Sequence, residues 1–419
     1  MEFQPPRGTV DLLPPRSEAL LALAQGAHDA ARRYGFRYVE TPAFEHTELF
    51  ARTSGETSDI VTKEMYTFED KGGRSITLKP ESTAPVVRAF LANRHGLPSP
   101  FKAYYVGPNW RHGRPQSGRL REFRVFGVEV IGTPAPFADA EVAILADRYL
   151  RDRGLRRSTL LLNSLGDATC RPAYRALLFE YLRSNRDALT DEHRDTFERN
   201  PLRVLDCKDE ACRAVAARAP RITDHLCEAC AEHFAAVRAS LEEEGVSYRP
   251  DPTLVRGLDY YTRTAFEFVS DALPGQQSTV CGGGRYDGLA EVLGGEPTPG
   301  VGFGLGLDRL LLALEAEGEP VEPSGAVTCF VVAIGEEAAA VGRAVTRDLR
   351  AAGIAAEGAY EARPLKGQLR QADRAGARYA LIVGEREVSE GTVTVRRLAD
   401  GEQESVRAED VVAWISGRA

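Results

Sequence analysis

The sequence predicts an α+β protein in which a largely antiparallel sheet is flanked by helices and is followed by a separate α/β domain. Short β-rich runs such as ITLKPES, REFRVFGVEVIG and TAFEFV follow one another without an obligatory intervening helix, which favours antiparallel pairing. A helix-rich, polar segment at about 167–248 interrupts these runs and is interpreted as an inserted module. Because 419 residues exceed one ordinary core, we expect two or three domains.

The elements of the first domain follow from local patterns. Residues 17–34 are apolar at three- and four-residue spacing, which predicts an amphipathic helix that ends at Gly35. The next run, FRYVETPAFE, predicts a strand that Pro42 breaks. We expect further helices at 137–153 and 285–293, between the β-rich runs.

A linker rich in Glu, Pro and Gly follows Leu314 and is typical of a domain boundary. It separates a domain of residues 1–322 from one of residues 327–419. In the second domain, the strand-like runs VTCFVVAI and RYALIVG alternate with a helix through Leu349 and another near 364–375. This alternation predicts a compact α/β unit that folds independently.

Three cations, Lys366, Arg370 and Arg374, recur at spacing four on the second of these helices. Residues four apart lie on one helix face. The stripe is either a solvated surface or a contact with nucleic acid, and its spacing alone leaves both interpretations open.

Composition and charge limit the class of protein. With 43% hydrophobic and 27% charged residues, the composition is that of a globular protein. No apolar run approaches the ~20 residues that span a bilayer, so we expect a cytoplasmic protein without membrane contact. A formal net charge of −8 argues against a general nucleic-acid coat, although it allows a local phosphate site.

Four of the seven cysteines form two close pairs, Cys207-x4-Cys212 and Cys227-x2-Cys230. Such pairs can offer four thiolates to one structural zinc ion. They are also compatible with reduced thiols that pack as small hydrophobic side chains, and this alternative stays open. We interpret His233, beyond the second pair, as a surface residue and not as a ligand.

The stretch WRHGRPQSGRLREFR, residues 110–124, holds five arginines and a histidine against one glutamate. In an acidic chain, this concentration of positive charge predicts an anion site if the side chains converge. A solvated loop is the alternative.

The stretch GVGFGLGLDRLL places glycine at 300, 302, 304 and 306, with apolar residues between. On a strand, this pattern leaves one face bare, which indicates close approach of a ligand or another backbone. A tight contact between a helix and the strand is the alternative. Arg309 follows at the head of a helix, where its cation could meet a phosphate.

Arg256 lies among apolar residues in LVRGLDYY, and a buried unpaired charge is costly. Asp259 is a candidate structural partner, whereas an oxyanion ligand would suit the planar guanidinium. In TVCGGGRYDGL, the glycines before Arg285 are most simply explained as a turn.

Taken together, these stretches resemble histidyl-tRNA synthetase, a family of class II aminoacyl-tRNA synthetases, over essentially the full length. The resemblance implies a class II antiparallel sheet and a C-terminal anticodon-binding domain. It rests on RGTVDLLP, GFRYVETPAFE as the first motif, LKPESTA, WRHGRPQSGRLREF as the second motif, GVGFGLGLDR as the third, RGLDYY, GGGRYDGL and ADRAGARYALIVGEREVSEGTVTVRRL.

The resemblance implies three arginines for ATP, which would bind with Mg²⁺. Arg111 would hold the α-phosphate, and Arg256 would meet both the α-phosphate and the carboxylate of histidine. Arg309 would lie along the outer phosphates. Positioned cations of this kind stabilise the charge that develops on phosphate oxygens in the transition state.

The family also implies a site for L-histidine. Glu129 and Tyr261, with Tyr260 adjacent, would recognise the imidazole, which can donate from one nitrogen and accept at the other. Glu81 and Thr83 would face the α-amino group. The whole implied set is Glu81, Ser82, Thr83, Arg111, Glu129, Arg256, Tyr260 and Tyr261.

Two departures from the family stand out. Val125 occupies the position of a glutamine that helps to hold the α-amino group, and Gly113 replaces the glutamate of an E-R-P motif. Arg114 and Gln116 would lie near the acceptor end of tRNA(His). The segment from Phe36 to Phe44 would lie in a homodimer interface.

The alternative function is a histidine-binding regulatory paralogue without aminoacylation, which Val125 favours. Those paralogues typically lack the C-terminal domain that this chain keeps. A sensor of uncharged tRNA would tolerate loss of the motif arginines, and all three are present.

Overall fold

The computed structural model describes residues 3–54, 64–115, 118–198, 200–207, 209–256, 260–319, 321 and 327–418. The chain divides into two compact units, Met1–Glu322 and Pro323–Ala419. Among the residues described, no helix combines the length and apolarity that crossing a membrane requires.

The helices are α1 Arg16–Arg33, α2 Thr47–Ser54, α3 Thr83–Asn93, α4 Pro136–Asp152, α5 Arg171–Ser184, α6 Asp191–Thr196, α7 Glu210–Ala216, α8 Glu228–Glu243, α9 Leu289–Val292, α10 Leu307–Glu317, α11 Glu336–Ala351, α12 Leu365–Arg374, α13 Glu385–Glu390 and α14 Val411–Ser416. The strands are β1 Arg37–Tyr38, β2 Phe44–His46, β3 Tyr66–Glu69, β4 Ser75–Leu78, β5 Phe101–Trp110, β6 Glu122–Ile131, β7 Ser158–Ser164, β8 Tyr248–Pro250, β9 Thr262–Ser270, β10 Thr279–Arg285, β11 Gly300–Gly306, β12 Cys329–Ala333, β13 Ala356–Gly358, β14 Tyr379–Val383, β15 Thr392–Arg397 and β16 Gln403–Arg407.

Within the described part of the first unit, eight strands form a sheet in the order β1-β5-β6-β11-β10-β9-β7-β8. Every pair from β5 to β7 is antiparallel, and only the edge strands β1 and β8 pair in parallel. A smaller antiparallel sheet has the order β2-β4-β3, and its strands lie between β1 and β5 along the chain. The predicted α+β class, with an antiparallel sheet and helices, is confirmed.

One face of the large sheet carries the main core. Val301, Phe303 and Leu305 of β11 are buried there, because period two sends alternate side chains of a strand to the same face. Helices α1, α4 and α10 cover this face, as their amphipathic patterns require. The opposite face therefore presents the glycines of β11, and it builds the site described below.

The inserted segment is only partly a module of its own. Helices α5 to α7 enclose a separate small core that includes Tyr174 and Phe197. In contrast, α8 packs on α4 and contributes Phe234 and Val237 to the main core. The prediction of a surface position for His233 is wrong, because its Nε2 lies 3.1 Å from Oδ1 of buried Asp139.

The second unit is an α/β domain whose described strands follow the order β13-β12-β14-β15-β16. The first three strands are parallel and the last two are antiparallel. On α12, Lys366, Arg370 and Arg374 are exposed, whereas Gln368 and Ala372 face inward. None of the three cations forms an ion pair within the described part of this domain, so the stripe is a free positive surface.

Candidate active site

A cavity of about 330 Å³ lies on the glycine face of the large sheet. It brings together the three predicted arginines, Arg111, Arg256 and Arg309, from distant parts of the sequence. Glu81, Ser82, Tyr261 and Val125 line it as well. The convergence decides the question raised by the stretch 110–124, since Arg111, Arg119 and Arg124 all border this cavity.

Arg111 follows directly after β5 and is held by the backbone and by an aromatic ring. Its Nε donates to the carbonyl oxygen of Pro80 at 2.8 Å, and its guanidinium lies 5.4 Å from the ring centroid of Phe123. One nitrogen is thus used for positioning, which leaves the terminal nitrogens of the fork for a ligand.

Arg309, near the start of α10, is fixed in a similar way. Its Nη1 donates to the carbonyl oxygen of Thr279 at 2.7 Å, and Nη2 donates to that of Gly118 at 3.2 Å. Burial and then the neighbouring cations of Arg111 and Arg119 lower the pKa of Arg309. Mutual repulsion among these cations means that an anion bound between them is stabilised.

Arg256 pairs with a carboxylate that the sequence did not indicate. It forms an ion pair with Glu267 of β9, and its guanidinium lies 5.3 Å from the ring centroid of Tyr261. Its buried Nε has no hydrogen-bond partner among the described residues. Asp259, the partner weighed from the sequence, lies outside those residues. Arg256 is therefore anchored by Glu267 and keeps donor capacity toward the cavity.

The glycines of β11 serve two purposes. A Cβ at Gly302 would lie 2.7 Å from Cδ of Glu129, and one at Gly300 would lie 2.8 Å from Cδ2 of Tyr286. These two glycines leave room for the buried side chains of Glu129 and Tyr286. Gly304 and Gly306 line the cavity itself, as the prediction of a bare face for a ligand requires.

The explanation of TVCGGGR as a turn is wrong, because these residues form β10. A Cβ at Gly282 would lie 2.6 Å from both terminal nitrogens of Arg256, and one at Gly284 would lie 2.9 Å from Cδ1 of Tyr261. These glycines thus leave space for Arg256 and Tyr261 to pack against the sheet. Arg285, which follows, is fully buried and bonds Asp139 through Nε at 3.1 Å, so it is structural.

Glu129 does not line the cavity but is fully buried at the centre of a cluster of polar side chains, which we call the polar pocket. Its carboxylate accepts hydrogen bonds from Thr83 Oγ1 at 2.8 Å, from the hydroxyl of Tyr105 at 3.1 Å, and from Tyr286. Burial is the largest influence and raises the pKa of Glu129 to about 8, although the hydrogen bonds from Tyr286 and Thr83 oppose it. A carboxylate has about four lone-pair positions, so one remains for a ligand.

Aromatic rings close the same pocket. The ring centroids of Tyr260 and Tyr261 are 4.8 Å apart, and those of Tyr260 and Tyr286 are 5.9 Å apart. Tyr105 lines both the cavity and this pocket. Its role was missed from the sequence because AYYVG gives no sign of which strand face its tyrosines occupy.

Glu81 connects the cavity to helix α3. Its carboxylate accepts hydrogen bonds from the backbone nitrogens of Thr83 at 2.7 Å and Ala84 at 3.0 Å, which stabilises a helix N-terminus. Burial raises the pKa of Glu81. The hydroxyl of Ser82 donates a hydrogen bond to Oδ1 of Asn109 at 2.9 Å. Ser82 thereby fixes the turn that carries Glu81 and Thr83.

Comparison with known proteins identifies the family. The histidyl-tRNA synthetase family model matches residues 8–310, and a model of an anticodon-binding domain matches residues 328–418. The chain belongs to the histidyl-tRNA synthetase family.

Full-length relatives agree with this assignment. The histidine–tRNA ligase of Moorella thermoacetica is 50% identical, over 98% of this chain and 97% of the relative. That of Streptomyces avermitilis is 49% identical, over 99% of both chains. A crystal structure of apo histidyl-tRNA synthetase from S. aureus superposes with a TM-score of 0.79 at 36% identity, covering 99% of both chains.

The departure at Val125 from the histidyl-tRNA synthetase pattern falls inside the cavity. Val125 is 8% exposed, lines the cavity, and lies opposite Gly306 in the sheet. Its methyl groups neither donate nor accept hydrogen bonds. At this position the chain therefore offers a ligand only apolar contact.

Gly113, the second departure from the family, lies beside an ion pair. A Cβ at Gly113 would lie 3.0 Å from Nε of Arg119 and 3.1 Å from Oε1 of Glu64, two residues that form an ion pair. A side chain at position 113 would require the flexible ends of these two side chains to shift slightly. Arg114, the next residue, is exposed, whereas Gln116 lies outside the described residues.

The four cysteines predicted as one zinc site are not brought together. In the described structure, Cys207 and Cys212 cluster with His193, whereas Cys227 and Cys230 cluster with Asp167 and Cys170. The separation follows from the packing, because Cys212 is buried in the small core of the insertion. A single site with these four ligands is therefore wrong for this chain.

Proposed function

We propose that this chain is a histidine–tRNA ligase that activates L-histidine with ATP and transfers it to the 3′ end of tRNA(His). The observation that carries the proposal is the convergence of three arginines on one cavity beside the buried carboxylate of Glu129. The cationic cavity suits a nucleotide triphosphate, and the polar pocket suits a side chain that both donates and accepts hydrogen bonds.

In the first step, the carboxylate of histidine attacks the α-phosphorus of ATP, which enters as its Mg²⁺ complex. The bond to the β,γ-phosphate breaks, and diphosphate leaves. Arg111 and Arg256 stabilise the negative charge on the α-phosphate oxygens, while Arg309 binds the outer phosphates. Because backbone carbonyls and Glu267 already fix these guanidinium groups, little reorganisation is needed as charge develops.

Recognition of histidine depends on Glu129 and the tyrosines around it. A neutral imidazole donates its N–H to Glu129, whose orientation is fixed by hydrogen bonds from Thr83, Tyr105 and Tyr286. Tyr261, on the cavity side, donates to the other nitrogen. Any other side chain would leave these buried polar groups without hydrogen-bond partners, so the pocket discriminates strongly against other amino acids.

The α-amino group of histidine lies toward Glu81, which lines the cavity and whose carboxylate attracts the ammonium group. Thr83 is committed to Glu129 through its hydroxyl and to Glu81 through its backbone nitrogen, so it couples the two carboxylates. Since Val125 offers no hydrogen bond, Glu81 supplies most of the attraction for the ammonium group.

The tRNA would contact both units. Exposed Arg114 and neighbouring Gln116 would approach the acceptor end, and the anticodon would meet the second unit, whose free cations Lys366, Arg370 and Arg374 suit a phosphate backbone. In the second step, the terminal ribose hydroxyl of the tRNA attacks the histidyl carbonyl and AMP leaves. A tRNA substrate of this kind implies action in the cytoplasm.

A twofold homodimer completes the proposed assembly. Strand β1 lies at the edge of the large sheet, and nearby Tyr38 and Phe44 are 47% and 51% exposed. Large apolar side chains that are exposed beside a sheet edge support an interface between two copies. Sedimentation equilibrium would test it: a dimer mass is expected, and a monomer mass at micromolar concentration would contradict it.

Exchange of labelled diphosphate into ATP tests the activity, with each of the twenty amino acids in parallel. Exchange with histidine alone is the expected result. A chain that binds histidine without exchange would instead be a regulatory paralogue, the alternative that Val125 favours. Charging of tRNA(His) with labelled histidine then tests the second step.

A further inference from the structure

A compact cluster of potential metal ligands lies where the insertion meets the large sheet. Asp167, Cys170, Cys227 and Cys230 each offer one ligand atom, and these atoms all lie within 4.8 Å of one another. Cys170 and Cys230 are buried, whereas Asp167 and Cys227 are half-buried. Three sulfur atoms and one carboxylate oxygen at such separations match the donor number and type of a tetrahedral zinc site.

The ligands are held by well-defined local structure. Cys170 directly precedes α5, Cys227 directly precedes α8, and Cys230 lies in the first turn of α8. Oδ1 of Asp167 lies 3.6 Å from Sγ of Cys170 and 3.9 Å from Sγ of Cys227. Two helix N-termini thus hold three of the four ligands in place.

Gly166 allows the cluster to be this tight. Its φ is +61°, and a Cβ there would lie 2.6 Å from Sγ of Cys170. Any side chain at this position would push Cys170 away from the other ligands. The backbone of Gly166 thus shapes the cluster from one side.

We propose that Asp167, Cys170, Cys227 and Cys230 bind one structural Zn²⁺ ion in a closed tetrahedral site. The other group, His193, Cys207 and Cys212, offers three ligands within the described residues, one fewer than a closed tetrahedral site needs. The first group supplies a complete ligand set from protein alone.

Nearby arginines balance the charge of the site. Zn²⁺ with three thiolates and one carboxylate carries a net charge of −2. Nη2 of Arg263 lies 3.4 Å from Oδ2 of Asp167. Arg171, which follows Cys170, donates a hydrogen bond from Nε to the carbonyl oxygen of Leu165 at 3.1 Å. Partners of this kind orient the ligands of a metal site and tune it.

The same arginines connect the zinc site to the histidine pocket, so this consequence rests on the proposed function. Nη2 of Arg171 donates to the carbonyl oxygen of Tyr261 at 2.7 Å. The backbone nitrogen of Arg263, which has a φ of +50°, donates to the carbonyl oxygen of Gly166 at 2.7 Å. Zinc would therefore fix the loop at 165–167 and, through it, Tyr261 and the start of β9, which follows Tyr261 directly.

Metal analysis of the full chain tests the proposal independently of activity. Protein grown with zinc in the medium and purified without chelators is expected to hold at least one zinc ion per chain. After removal of the zinc, Co²⁺ alone should produce thiolate-to-cobalt charge-transfer absorption and the visible bands of a tetrahedral ion. Zinc near zero together with no such spectrum would overturn the proposal.

Single variants assign the ligands. Cys170→Ser and Cys227→Ser should each lower the zinc content by one ion per chain or weaken its retention during dialysis against a chelator. Cys207→Ser and Cys212→Ser serve as matched controls and should keep that ion. Loss of the ion in the controls but not in the first pair would overturn the assignment. Should Cys170→Ser fail to fold, Asp167→Asn keeps the size of its side chain and should shift the visible cobalt bands.

A second readout tests the connection to Tyr261. Removal of zinc should raise the KM for histidine in diphosphate exchange more than the KM for ATP, and added Zn²⁺ should reverse the change. If the KM for histidine and the KM for ATP changed equally, the connection to the histidine pocket would be refuted. The zinc content would still support the metal site. A chain that bound zinc but lacked exchange activity altogether would refute the proposed function and not the metal site.

Discussion

Arg256→Ala is expected to lower the rate of histidine-dependent diphosphate exchange by at least about 100-fold. Removing one positioned donor to a developing oxyanion typically costs about 2.7–4 kcal/mol of transition-state stabilisation. Arg256 is anchored by Glu267 and Tyr261, and its Nε has no described partner, so its donors are available to the α-phosphate. Exchange of labelled diphosphate at saturating histidine and ATP measures the effect.

The same substitution also has a structural cost, which must be separated from the catalytic one. It leaves Glu267 without its cation, although Thr279 still donates to Oε2 of Glu267 at 3.0 Å. The side chain of Glu267 is 19% exposed, so the loss should be smaller than the ~3–5 kcal/mol typical of a broken, fully buried pair. Urea unfolding would measure it.

A double variant distinguishes the two effects. In Arg256→Ala/Glu267→Gln, the unpaired charge is removed, so the free energy of unfolding should recover most of its loss while the exchange rate stays low. Recovery of exchange to within tenfold of the wild type would refute a direct role for Arg256 and leave only its role as a partner of Glu267. Arg256→Lys should restore activity only in part, because an ammonium lacks the planar fork.

Three further predictions concern the histidine pocket. Gly302→Ala should weaken histidine binding severely, since the added Cβ would lie 2.7 Å from Cδ of Glu129 and would also overlap the backbone carbonyl oxygen of Val128. Gly107→Ala, with nothing within 4 Å of its Cβ, is the matched control, and equal calorimetric Kd values for the two variants would contradict the prediction. Val125→Gln should lower the Kd for histidine about tenfold, the effect of one hydrogen bond to a charged group worth ~1.5 kcal/mol, and an unchanged Kd would mean that another group already makes the contact. Because the pKa of Glu129 is raised from 4.5 to about 8, the folded chain binds more protons than the unfolded chain between these values, so the contribution of Glu129 to the free energy of unfolding falls as pH rises through this window. Urea unfolding from pH 5 to pH 8 should show that Glu129→Gln removes this fall, and identical pH profiles for the two proteins would contradict the prediction.

The bare face of β11 was predictable from the sequence alone. The alternation in GVGFGLG predicts it because the period of a strand does not depend on distant partners. The shared site of Arg111, Arg256 and Arg309 was predicted only by the family resemblance, and the three side chains line one cavity.

Partners that meet only in three dimensions were not predictable. Glu267 lies eleven residues beyond Arg256 on another element, and Tyr105 reaches Glu129 across two neighbouring strands. Sequence spacing also grouped Cys227 with Cys207, whereas the fold carries them to separate clusters. In each case, the sheet register or the packing of the insertion decides the contact, and neither can be inferred from spacing along the chain.

The missing side chain at position 302 bears on attempts to redesign amino-acid specificity. Positions 302 and 129 face each other across β11 and β6, and the side chain of Glu129 occupies space that a side chain at 302 would need. A Cβ at 302 would also overlap the backbone carbonyl oxygen of Val128, so shortening residue 129 does not make room for a larger residue at 302. New specificities should therefore be sought by varying position 129 and the side chains that bond it, while position 302 stays glycine.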